Sequence, residues 1–117
     1  MNTLNIEDQP LDVQWEHLLD TVEQLTGKKP ADLNGVLFLI GVQELGQGPK
    51  RFTKEQKQDL MHIGICKVLS LSSYYLFEKR DKEGWPHYIL NRALPQGGID
   101  KQEALLKMHV IEYFRGI

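Results

Sequence analysis

The sequence predicts an α+β domain, mostly helical, with about four helices and one β-hairpin after the third; an all-α bundle is the alternative. Three observations point there. Apolar residues recur at spacings of three and four over residues 11–25 and return densely over 105–114. A capping-box motif opens another helical stretch at Thr53. After Ser72 and Ser73 the pattern changes to strand formers on either side of one tight turn.

The elements follow in order. Residues 1–9 are polar and acidic, and are expected to form a loose N-terminal arm. Leu11, Trp15, Leu18, Leu19, Val22 and Leu25 then form the apolar stripe of an amphipathic helix. Pro10 suits its first turn and Gly27 with Pro30 its stop, while Asp12, Glu16, Asp20 and Glu23 make an acidic, solvated face. From Leu33 to Leu45 the chain is apolar nearly all round, which fits a buried strand or a buried helix. Its length favours a central helix, with Gly35 and Gly41 allowing neighbours to approach closely. Gly46, Gly48 and Pro49 mark a flexible loop over residues 46–52. In "TKEQ", residues 53–56, the Thr53 hydroxyl is placed to accept from the Gln56 N–H while the Gln56 side chain reaches back. The helix that starts there is polar for a turn and a half. From Leu60 to Leu71 only His62, Lys67 and Ser70 are polar, so that half is either the spine of the domain or part of a contact with another subunit.

Tyr74 to Phe77 and Trp85 to Leu90 favour strands, and Asp81 to Gly84 supplies the turn. A four-residue loop sets Phe77 opposite Tyr88 and Tyr75 opposite Leu90, four residues on one face expected to pack on the helices. The other face is expected to pair Arg80 with Trp85 as a cation–π contact and Glu78 with His87 as an acid–imidazole contact. Pro86, with no N–H, belongs where its nitrogen faces no partner strand. One continuous helix over 54–79 is the rival, disfavoured by Pro86 and by the Ser-Ser and Tyr-Tyr pairs. After the "LPQGG" loop, Asp100 is the expected N-cap of a last helix, with Glu103 completing a capping box and Ile99 stapled to Ala104. Leu105, Leu106, Met108, Val110, Ile111, Tyr113 and Phe114 cover more than one stripe of it.

Residues 1–117 are read as a single domain, a length that buries roughly 65% of the unfolded chain's surface. The 41% apolar and 26% charged fractions argue against disorder. The polar amino terminus lacks the apolar core of a secretory signal. The longest purely apolar run, residues 36–40, falls far short of the roughly 20 residues that span a bilayer. No membrane association and a cytoplasmic location are therefore expected, and the single cysteine, Cys66, fits a reducing compartment. The net charge of −2 is uneven. Residues 1–26 carry six acidic and no basic side chains, and the rest of the chain has fourteen basic against ten acidic.

Several patterns touch on chemistry. Asp59, His62 and Cys66 fall on one helix face, with His109 and Glu112 spaced i, i+3 on the last helix. Facing pairs of this kind build metal sites in bundles, but the Glu-x-x-His order is missing, and no metal ligand is assigned. Cys66 could be paired with His62 as a nucleophile, yet its apolar surroundings favour an inert thiol, so no catalytic residue and no cofactor are assigned. "GQGPKRFT" lacks the spacing that wraps a phosphate. A small-ligand pocket between helices would leave no motif.

Helix, helix, helix, hairpin over residues 11–92 is the element order of a winged helix, by analogy. Lys50, Arg51, Lys54 and Lys57 would then lie at the start of its third helix. Nucleic-acid binding is nonetheless disfavoured. The polarity of that helix fades after Asp59, and Glu78, Asp81 and Glu83 cancel Lys79, Arg80 and Lys82 on the wing. An interaction or accessory protein is the preferred expectation, non-enzymatic and acting as a homodimer or with a protein partner. A lone hairpin is marginal in water and leaves its strand edges open. Its contact surface is expected around Arg80, Trp85 and His87.

Overall fold

The apolar stripes and caps of the sequence become four helices in the computed structural model, which describes residues 6–116. Helix α1 (Leu11–Thr26) buries Trp15, Leu18, Leu19 and Val22 and ends where Gly27 turns left-handed. Helix α2 (Leu33–Leu45) is capped by the Asp32 carboxylate, which accepts from the Gly35 N–H. Helix α3 (Lys54–Ser70) opens with the expected capping box: Thr53 Oγ1 accepts from the Gln56 N–H at 3.1 Å, and Gln56 Oε1 from the Thr53 N–H at 2.9 Å. Strands β1 (Tyr75–Arg80) and β2 (Pro86–Leu90) form a two-stranded antiparallel hairpin, and helix α4 (Ile99–Arg115) closes the chain. Of the N-terminal arm, residues 1–5 lie outside the described residues. Ile6–Asp8 is a short 3-10 turn, and Gln14 donates to the Gln9 carbonyl just after it.

Helix α3 is the spine, in contact with α2, α4 and both strands. Its closest partner is α2, and two glycines explain the closeness. A Cβ on Gly41 would fall on the Leu60 carbonyl, and one on Gly64 would fall on the Leu37 carbonyl. Each helix thus uses a glycine to admit the backbone of the other. The main core gathers Trp15 and Val22 of α1, Leu37 and Ile40 of α2, Val68 and Leu69 of α3, and Val110 and Ile111 of α4. A second cluster of Leu45, Leu60 and Ile63 lies beneath the hairpin, with Phe52, Trp85 and Tyr88 packed on it.

The hairpin keeps the expected register over its first half, with Tyr75 opposite Leu90 and Phe77 opposite Tyr88. A β-bulge at Glu78 then shifts it by one residue, pairing Lys79 with His87 and Arg80 with Pro86. Strict alternation carries no sign of an extra residue, so the expected Glu78–His87 contact does not form. Nor do all four residues of the expected inner face pack on the helices. Tyr75 and Tyr88 do, whereas Phe77 and Leu90 remain 55% and 60% exposed. The beginning of α4 also differs. Gly98 is its N-cap, Asp100 lies in the first turn, and Ile99 is 81% exposed as the first helical residue, too far along the chain to act as the pre-cap staple.

One polar tie holds α4 to the spine. The Tyr113 hydroxyl donates to Glu44 Oε2 at 2.8 Å, and Glu44 Oε1 lies 3.7 Å from Lys67 Nζ on α3. Burial, reinforced by the bond to Glu44, pushes the Tyr113 hydroxyl well above the usual tyrosine range. Tyr113→Phe keeps the ring and removes the bond. It is expected to lower the unfolding free energy in urea titration by about 1.5–3 kcal/mol, the scale for a bond to a charged acceptor, with far-UV circular dichroism unchanged.

Candidate functional site

A cleft of about 470 Å³ separates the hairpin from the exposed flank of α3. Gln56, Asp59, His62, Ile63 and Cys66 line one wall at the spacing of a helix face; Asp81, Glu83, Trp85, Pro86, His87 and Tyr88 line the other. The volume lies within the range of small-ligand and peptide-side-chain pockets. The helical stripe of Asp59, His62 and Cys66 is therefore real, but it meets the hairpin and not His109 and Glu112. Glu112 instead pairs with Arg115 at 3.1 Å. Among the described residues no group of three histidine, cysteine or carboxylate side chains converges as a metal site would require.

Two local devices shape the hairpin wall. The Asp81 carboxylate organises the turn: Oδ1 accepts from the backbone N–H of Glu83 at 2.9 Å and of Trp85 at 3.0 Å, while Oδ2 lies 2.9 Å from His87 Nε2. The bond to His87, with those two N–H donors, holds the Asp81 carboxyl below the usual carboxylate range. Gly84 takes φ +88° at the end of the turn, where its N–H reaches the Asp81 carbonyl. Arg80 is the second device. Its guanidinium donates to the Glu44 carbonyl at 2.8 Å and to the Gly84 carbonyl at 2.7 Å, so it joins the turn to the C-terminal end of α2. Carbonyls at a helix end lack intrahelical partners and carry partial negative charge, which a guanidinium satisfies on both counts.

The three residues expected to form a contact surface therefore separate. Arg80 is turned onto α2 and does not stack on Trp85. Trp85 packs edge-on against Phe52 with ring centres 6.5 Å apart, and Phe52 in turn packs against Phe38. Half-buried in the second cluster, Trp85 supports the cleft from below. His87 is exposed at the cleft rim, and Arg80, although exposed, has its guanidinium committed to carbonyls. Gln56, Glu83 and Tyr88 join the site although the sequence marks them only for a helix cap, a charge balance and a strand pair, since their placement depends on how the hairpin folds back.

Cys66 sits at the floor, 2% exposed, with its Sγ 3.5 Å from His62 Nε2. Burial pushes its thiol up to about 11. A second polar pair lies at the other end of α3. The Nδ1 of His109 engages the Leu105 carbonyl at 2.8 Å, leaving Nε2 to accept from the Ser72 hydroxyl at 2.7 Å. This resembles an activated serine, but the N–H groups of Ser72, Ser73 and Tyr74 already donate to carbonyls of Leu69 and Ser70. They are not free to stabilise an oxyanion, so the pair fastens α4 to the turn before β1.

Because burial favours the neutral thiol, only roughly one Cys66 in a thousand is a thiolate at pH 8. Iodoacetamide is expected to label Cys66 in the native protein far more slowly than in urea, with a native rate still rising above pH 9; fast native labelling at pH 8 contradicts this burial. In comparisons with known proteins, no family model, no curated protein and no solved structure matches the chain.

Proposed function

We propose that the chain is a small cytoplasmic interaction protein that works as a homodimer, its copies meeting through the outward face of the hairpin. The observation that carries this reading is the pair Leu76 and Ile89. They are direct cross-strand partners on the face turned away from α3, 41% and 47% exposed. Tyr75 and Tyr88 fill the opposite face, so Leu76 and Ile89 have no helix to cover them. Two large apolar side chains side by side on the open face of an isolated two-stranded sheet are a surface that association would bury.

A second copy is the favoured occupant because this face is suited to meeting itself. A two-fold axis stacks Leu76 and Ile89 of one copy on the same pair of the other, and Glu78 beside Lys79 brings both charge signs to the rim. His87, one of the residues expected at a contact, lies at the edge of this face. A nucleic-acid reading has less to draw on. After His62 every residue of α3 is buried or half-buried, so the helix has no polar face long enough to enter a groove.

Sedimentation equilibrium at micromolar protein is expected to give a dimer mass for the wild type. Ile89→Lys should give a monomer with unchanged far-UV circular dichroism. A wild type that stays monomeric into the high micromolar range, or an Ile89→Lys dimer of unaltered affinity, overturns the reading.

A further inference from the structure

The hairpin wall of the cleft has a feature that the dimer face lacks. Pro86, His87 and Tyr88 are consecutive in β2, and all three line the cleft. Successive strand residues point to opposite faces, so a void touched by three in a row runs along the edge of the strand. No residue of β1 lines it, so the edge concerned is the outer one of β2.

The ladder shows what this edge offers. The Asn91 N–H donates to the Tyr74 carbonyl at 2.8 Å, and the Asp81 N–H to the Trp85 carbonyl at 2.9 Å. Alternation from these two ends makes Leu76–Ile89 and Lys79–His87 the pairs that exchange hydrogen bonds. The backbone groups of Pro86, Tyr88 and Leu90 therefore point away from β1. Pro86 has no N–H to offer there, as a proline on an edge should not, but Tyr88 and Leu90 each present an N–H and a carbonyl.

The two edges of the hairpin are not equally guarded. The strand β1 carries Glu78, Lys79, Arg80 and a bulge, all devices that discourage strand addition. The strand β2, "PHYIL", has none of them beyond its opening proline.

Charge narrows the choice of what would pair there. Asp59, Asp81 and Glu83 line the cleft with no lysine or arginine among the lining residues. Among the described residues the side chains of Asp59 and Glu83 have no hydrogen-bond or ion-pair partner; Asp81 is engaged by His87 and the turn.

We propose that the cleft receives an extended, arginine- or lysine-bearing segment of a partner polypeptide. The segment adds to the outer edge of β2 as a third strand, bonding to Tyr88 and Leu90, and sets its cationic side chains against Asp59 and Glu83. Main-chain bonds supply the affinity of such an addition, and the acidic lining supplies its selectivity. This site lies on the edge of the hairpin, apart from the Leu76 and Ile89 face proposed for self-association, and it takes a different partner.

The test is a titration of the 15N-labelled full chain with the peptide acetyl-Arg-Val-Arg-Val-Arg-amide, followed by NMR. The amides of Tyr88 and Leu90 and the indole of Trp85 are expected to shift in a saturable way. The double variant Asp59→Asn, Glu83→Gln, with its spectrum otherwise retained, should bind about tenfold more weakly, as expected for the loss of two solvent-accessible ion pairs. The glutamate counterpart of the peptide should not bind, and N-methylation of the peptide's alternate amides should abolish binding. Three results would each overturn the proposal: no shift of Tyr88 or Leu90 at millimolar peptide, equal binding of the N-methylated or glutamate peptide, or argininamide binding as tightly as the peptide. The last would mark a site for a small cation in place of an added strand.

Discussion

The contact on which the rest of the structure depends is the backbone approach of α2 and α3 through Gly41 and Gly64. Helices with ordinary side chains at the crossing keep their axes about 8–10 Å apart. Here each glycine stands against a carbonyl of the other helix, at Leu60 and Leu37 respectively. The approach seats Leu37, Ile40, Leu60 and Leu69 at 1% exposure or less. It also leaves α3 with one flank against α2, another toward α4 and a third beneath the hairpin, which is why its second half is apolar nearly all round. With a spacer at either glycine, Phe52 and Trp85 would no longer close the second cluster in the same place.

The hairpin depends on that pair twice. Its tip is bound to the end of α2 by Arg80 and by Gln47, whose side chain donates to the Glu83 carbonyl at 2.7 Å. Its inner face rests on α3 through Tyr75 and Tyr88. The bulge at Glu78 reconciles the two attachments, because one extra residue in β1 re-aims the strand so that Arg80 reaches the carbonyl of Glu44 while Tyr75 remains over His62. A cleft remains between the β2 edge and α3, and bare apolar side chains remain on the outside. Both proposed interaction surfaces thus arise from a hairpin held at its tip and along one diagonal, with its outer edge and outer face uncovered.

How much of this was legible depended on whether its cause was local. The Thr53–Gln56 box, the Leu33–Leu45 span and the first half of the hairpin register are set by residues near one another in the chain, and the sequence reading places them correctly. The bulge was invisible because alternation carries no mark for an inserted residue. Short-range pattern pairs Arg80 with Trp85, because the Glu44 carbonyl that it reaches lies 36 residues away, on a helix end whose position no such pattern encodes. The stripe of Asp59, His62 and Cys66 could be read as one face of a helix. That it would meet the hairpin and not α4 is a tertiary fact. Gly64 carries no mark within its apolar run, since a glycine's role at a crossing depends on what lies opposite, here the Leu37 carbonyl.

The most direct measurement of the central claim is equilibrium denaturation of Gly41→Ala beside the wild type. In an unconstrained helix interior this change adds about 1 kcal/mol of stability through helix propensity. The account predicts the opposite sign, a net loss of roughly 2 kcal/mol or more, because the new methyl group meets the Leu60 backbone and α2 must move away from α3. Equal or higher stability would show that the two backbones are not in contact at Gly41, and would contradict the account at its foundation.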